Sequence, residues 1–351
     1  MLGAMTSANT SNTKTSNRCR FRTDKNPIAV ALGHSRQFVY VANWGAHNIS
    51  AYRICTTTGH LSPVAGSPFA SGLWPHSIAA SASGKFLYSA NGKSNDVSAF
   101  RIDLASGALQ PVAGSPFRAG NHPEAIAMTP SDDVAYVANG FSGDVTAYKI
   151  DPATGSLSEL PNSPYPSGEK PLGIAIHPSG RYAYVANRRS DVRAHRIEAS
   201  GGGLSPVAGS PFPAGRGPTA IVMHPSGNFV YVANFKSDNV GAYRVDHSNG
   251  ALLPIDGSPF LSGQVPIGIA VDPSGDFLLV TNGGSNDVSV FHIDQASGAL
   301  SQVSNSPFPV GEMPCGIAID PSGPFVYIGN WASHDLCGYR LERPTGRLLP
   351  L

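Results

Sequence analysis

His76 and Glu124 are the residues of this chain best suited to moving protons. Each follows a proline directly, Pro75 and Pro123, 48 residues apart. An imidazole changes charge near neutral pH, and a carboxylate within reach can orient it, which is the basis of general acid–base catalysis. The alternative is a His–Glu hydrogen bond that merely fills space. His122 lies two residues before Glu124, and His76, His122 and Glu124 form the one plausible metal-binding combination. The acid–base reading, with no metal and no cofactor, is adopted. Cys315 follows Pro314 in the same way and would be a nucleophile if a base activated it.

These positions belong to a repeat. Pro27, Pro75, Pro123, Pro171, Pro218, Pro266 and Pro314 recur at spacings of 48, 48, 48, 47, 48 and 48 residues, close to the period of propeller repeats. Each unit reads as four short strands. Strand A follows the proline, as in Pro171-Leu-Gly-Ile-Ala-Ile176. A Pro-Ser-Gly turn leads to strand B, as in Phe229-Val-Tyr-Val-Ala-Asn234. Strand C is Val97-Ser-Ala-Phe-Arg-Ile102 and its copies, and strand D begins near Leu109-Gln-Pro-Val112. Short strands rich in β-branched and aromatic residues, joined by tight turns, form antiparallel meanders. The fold class is therefore all-β: a seven-bladed β-propeller with four antiparallel strands per blade.

Residues 18–351 make a single propeller and residues 1–17, rich in Ser, Thr, Asn and Ala, a disordered tail. The last unit stops partway through strand D. Phe21 lies six residues before Pro27, as Phe69, Phe117, Tyr165, Phe212, Phe260 and Phe308 do before the later prolines. Both chain ends are thus expected in blade 7. Cys19 and Cys337 would then be neighbours, either bridged or as free thiols.

Comparison among the repeats separates scaffold from site. The asparagine ending strand B occurs in all seven units, Asn43 to Asn330, and the aspartates before strand C in five; both read as turn and cap residues. His177 and His224 open repeated turns and read the same way. The position after the repeat proline varies instead: Ile28, His76, Glu124, Leu172, Thr219, Ile267 and Cys315. It should ring the mouth of the central channel. Loops on that face add Trp44, Trp74, His122, Phe141, Lys170, Arg188, Arg189, Arg216, Phe235, Lys236, Trp331 and His334. An aromatic basin with a few converging polar groups suits a small molecule. The expected ligand-binding set is Trp44, Trp74, His122, Lys170, Arg188, Arg189, Thr219, Phe235, Cys315 and Trp331.

Composition narrows the function. With 24 basic and 23 acidic residues and no charge run, nothing points to nucleic acid or an anionic membrane. No apolar stretch has the length of a membrane span. A soluble monomer is expected, cytoplasmic rather than exported. Phosphate loops, nucleophile elbows and zinc motifs are absent.

The core Tyr-Val-Ala-Asn followed by Asn-Asp-Val-Ser, with Pro-x-Gly-Ile-Ala opening a blade, resembles the YVTN-type repeat. Asp103 to Leu109, Asp151 to Leu157 and Asp294 to Leu300 share an Asp-x-x-x-Gly-x-Leu pattern similar to that of lactonase-type propellers, which include 6-phosphogluconolactonase-like and carboxymuconate-lactonising proteins. The resemblance spans residues 18–351 and implies an enzyme that opens or closes a small cyclic ester. It also implies a catalytic histidine in a His-Ser-Ala context, matched by His76-Ser77-Ile78-Ala79. The family's remaining set falls on Glu124, Gly140 and Thr219, where it would have arginine, glutamate and arginine. A non-catalytic propeller that binds a ligand, glycan or protein on the same face is the alternative.

Overall fold

The computed structural model describes residues 20–33, 37–321 and 323–351. Residues 1–17 and Cys19, with its proposed bridge to Cys337, lie outside that range. Seven antiparallel sheets follow one another, each in the order A–B–C–D. In blade 2 the strands are Pro75–Ala80, Phe86–Asn91, Asp96–Ile102 and Leu109–Pro111. Every strand A begins on its repeat proline, from Pro27–Leu32 in blade 1 to Pro314–Ile319 in blade 7. The A strands of neighbouring blades pack together and line the centre. No helix among the described residues is long and apolar enough to cross a membrane.

Strand B is buried along its whole length in every blade. Both its faces are covered by neighbouring sheets, which is why it reads as an unbroken apolar run. Its tyrosines also tie blades together. Tyr40, Tyr88, Tyr136, Tyr184, Tyr231 and Tyr327 donate their hydroxyls to glycine carbonyls in the C–D turn of the next blade, Tyr327 reaching round to Gly59. Buried phenols need such partners. Leu279 takes the position in blade 6 and makes no such bond.

The outer edge carries a short fifth segment. In blade 2, Phe117–Arg118 pairs with the start of strand C after the chain has looped outward. The loop is held by the serine of the Gly-Ser-Pro-Phe motif: Ser115 Oγ accepts the Ala99 N–H at 2.9 Å, and Ser67, Ser163, Ser210, Ser258 and Ser306 do the same in their blades. In blade 7 this segment is Arg20–Arg22. It pairs with Asp335–Glu342, which also pairs with Arg347–Pro350. Phe21 stands opposite Leu336 as Phe69 stands opposite Ile49.

Candidate active site

The residue after each repeat proline sits in a β-bulge. Pro75 pairs with Asn91 and Ser77 with Ala90, so His76 is the extra residue; Glu124 is extra in the same way between Pro123 and Ala125. A bulge frees a side chain from the alternation of its strand and re-aims it. The mouth is fixed by a second repeated feature. The N–H of the residue after the strand B asparagine donates to the carbonyl of the residue before the proline, as Gly92 to Trp74 and Gly140 to His122, both at 2.8 Å.

His76 and Glu124, on adjacent blades, meet there. His76 Nδ1 lies 3.1 Å from Glu124 Oε2. Trp44, from blade 1, donates its indole N–H to His76 Nε2 at 3.1 Å. An indole nitrogen only donates, so Nε2 holds a lone pair and the proton of neutral His76 is on Nδ1, facing Glu124. His122 Nδ1 lies 3.0 Å from Glu124 Oε1 without an aligned hydrogen bond. The side chains of His76, His122 and Glu124 are 12%, 10% and 16% exposed, so the cluster is largely desolvated yet reachable. Burial pushes the His76 imidazole below the ordinary histidine value, against the opposing pull of Glu124.

Two glycines make room. A Cβ on Gly92 would lie 2.6 Å from His76 Cδ2 and 3.2 Å from His122 Cε1, and one on Gly140 would lie 2.9 Å from Glu124 Cγ. A glutamate at position 140 and one at 124 would compete for one volume; this chain supplies its carboxylate from the strand.

His76, His122 and Glu124 are also, among the described residues, the one grouping of three metal-ligating side chains, with ligand atoms within 4.8 Å of one another. A metal on His76 Nδ1 would move the proton to Nε2 and set two N–H groups, His76 and Trp44, against each other. The contacts therefore suit a proton-bearing triad better than a ligand set.

Aromatic rings continue from the triad. Trp44 stacks on Trp74 with centroids 4.8 Å apart and planes at 20°, and Trp331 is 6.2 Å from Trp44. Trp74 abuts His122, which lies 4.2 Å from Phe141. Lys170 Nζ sits over Phe141, and Arg188 over Phe235 at 4.9 Å. The arc thus runs from blade 7 through blades 1 to 3 and ends against cations.

Other expected members stand apart from the triad. Thr219 donates its hydroxyl to the carbonyls of Ala233 and Pro266. Arg189 is exposed and pairs with Glu169. Cys315 is a correction: only 2% of it is exposed, and burial raises its thiol to about 12. In blade 7 the pairing resumes only at Ile317 with Ile328 after Pro314 with Asn330, and Cys315 is buried where its counterparts His76 and Glu124 are partly exposed. His334, expected at the mouth, accepts the Asn26 N–H on Nδ1 and ties blade 7 to blade 1.

Fold and site together define a propeller with a largely buried His–Glu–His cluster where its innermost strands begin. The profile of the family described as Lactonase, 7-bladed beta-propeller, matches residues 3–121, 108–266 and 191–351. The chain belongs to this seven-bladed lactonase family. No curated protein matches it. Among solved structures, the Pseudomonas aeruginosa periplasmic gluconolactonase is similar at 21% identity and TM-score 0.74, covering 93% of this chain and 94% of that one. A Bacteroides uniformis ATCC 8492 protein with a provisional 6-phosphogluconolactonase assignment is 19% identical, TM-score 0.75, covering 86% and 90%. Kuenenia stuttgartiensis hydrazine synthase is 18% identical, TM-score 0.70, covering 94% and 99%. At such identities the likeness is one of fold, and a fold hosts many functions.

Proposed function

We propose that the chain hydrolyses a small lactone at the top mouth, with His76 as general base and Glu124 as the group that orients it. The observation that carries this is the His76–Glu124 contact: a carboxylate on Nδ1 leaves Nε2 as the basic nitrogen. His76 takes a proton from water, the hydroxide adds to the lactone carbonyl, and the ring C–O bond breaks. The imidazolium returns its proton to the departing alkoxide, giving the hydroxy acid. Ring closure is the same path reversed. Lys170 or Arg188 offers a counter-charge for a carboxylate. The lowered His76 value keeps the base neutral, so rate should persist as pH falls somewhat below 6.5, the ordinary histidine value.

A ligand-binding role without chemistry is the second reading, favoured by one observation: Trp44 occupies His76 Nε2. A panel of γ- and δ-lactones, including glucono-δ-lactone, followed by pH-stat between pH 5 and 8 tests the two. Turnover above the uncatalysed rate supports the hydrolase. If no lactone is consumed while a lactone or hydroxy acid binds at the mouth, the binding role stands instead.

A further inference from the structure

Trp44 holds a place where a ligand would be expected. Its indole lies face to face on Trp74, borders Trp331, and directs its N–H at the basic nitrogen of His76. With Glu124 on Nδ1 and Trp44 on Nε2, neither nitrogen of His76 is free. The indole therefore does what a flat-ringed ligand with a donor group would do: it stacks, and it satisfies the acceptor.

We propose that Trp44 is an internal ligand that caps His76 and that the slot it fills on Trp74 receives flat rings bearing an N–H or O–H donor, which displace it. The geometry gives this a direction. Trp44 bonds only to neutral His76, since the protonated ring has no lone pair to accept, so it stabilises the neutral form. The charged and titratable groups around the ring and its slot are Glu124 and His122 from the blade 3 side, Lys93, which sits over Trp74, and His47, which accepts the Trp74 backbone N–H. None of these replaces a lost indole N–H. Displacement must overcome an intramolecular competitor whose effective concentration is on the order of millimolar or more, so wild-type protein should bind such rings weakly. The link to turnover rests on the hydrolase reading; the cap itself does not.

The test follows His76 by NMR in wild-type protein, Trp44→Phe and Trp44→Ala. Trp44→Phe keeps an aromatic ring and loses the donor, and should raise the His76 pKa by about half a unit to one unit, the scale of one ordinary hydrogen bond. Trp44→Ala should bind free indole at least tenfold more tightly than wild type, and bound indole should return the His76 titration toward that of the wild type. 1-Methylindole, with no N–H, should bind and leave the titration raised. An unchanged His76 titration in Trp44→Phe, or identical effects of indole and 1-methylindole, overturns the cap. If Trp44→Ala does not fold, the Trp44→Phe titration decides alone. On any lactone that wild type consumes, Trp44→Phe should show higher kcat/KM. Absence of all lactone turnover would sink the hydrolase reading, and the titrations would still decide the cap.

Discussion

His76 and His177 are the same residue type in the same repeating scaffold, and their environments are mirror images. His177 opens a turn. Its Nδ1 accepts the Ser179 N–H at 3.0 Å and its Nε2 faces the Gly227 carbonyl at 3.1 Å. His224 repeats this with Ser226 and Gly275. These rings carry their proton on Nε2 and hand it to a carbonyl of the next blade, so both nitrogens are used to join parts of the scaffold. His76 carries its proton on Nδ1, toward a carboxylate, and its Nε2 accepts the indole N–H of a side chain, Trp44. The two histidines differ in their partners: His177 is held by backbone groups of its own turn and of the next blade, His76 by the side chains of Glu124 and Trp44.

A third environment gives the largest expected effect. His195 is buried in strand C of blade 4, where other blades have Tyr or Phe, and burial lowers it to about 4. Between pH 6.5 and about 4 the unfolded chain takes up a proton that the folded chain refuses. Stability is thus complete above pH 6.5 and falls as pH drops toward 4, by about 3 kcal/mol for a shift of this size. His195→Phe should remove most of that loss. Urea unfolding at pH 7 and pH 4 measures it, and an unchanged difference between the two pH values in the variant would contradict the assignment.

A smaller effect concerns the space beside the triad. Gly140→Ala places a Cβ 2.9 Å from Glu124 Cγ, pushing the carboxylate from His76. Turnover on a lactone should fall about tenfold or more, since small misplacements at a reacting centre are costly. The His76 pKa should fall further, because Glu124 is what raises it. An unaltered His76 titration would show that Glu124 tolerates the methyl group.

The smallest intervention compares two thiols. Cys55 is exposed, and hydrogen bonds from Thr57 and Thr58 bring it down to about 6; Cys315 is driven to about 12 by burial. Iodoacetamide at pH 7 should alkylate Cys55 quickly and Cys315 only in denaturant. Peptide mapping reads both sites, and rapid labelling of Cys315 in the folded protein would restore it as a candidate nucleophile.

Much of the fold was legible because seven copies of one pattern leave little freedom. The prolines mark the first residue of every strand A, and the apolar run of strand B marks an element buried on both faces. The two-residue outer segments were not legible as strands, since two residues carry no alternation and Phe117–Arg118 is made a strand only by its pairing with strand C. At the site, the residue after the proline stood out because it varied while its neighbours did not. The bulge that aims it was hidden, and so was the space that Gly92 and Gly140 leave beside His76 and Glu124. The residues after the strand B asparagine are Trp44, Gly92, Gly140, Arg188, Phe235, Gly283 and Trp331, so small residues fall beside His76 and Glu124 but also in blade 6. Cys315 was misplaced because its position after the repeat proline does not reveal that its side chain is buried.

The central claim is that His76 reacts where His177 merely joins. The direct measurement is kcat/KM for a lactone consumed by the wild type, taken for His76→Ala and His177→Ala alongside their unfolding free energies. His76→Ala should lose at least ~100-fold in turnover and about 1–2 kcal/mol of stability, through Glu124 and the Trp44 N–H left unpaired. His177→Ala should keep its turnover and lose about 1–2 kcal/mol of stability through the unpaired turn and carbonyl groups. Full turnover in His76→Ala, or equal losses of turnover in the two variants, would contradict the account.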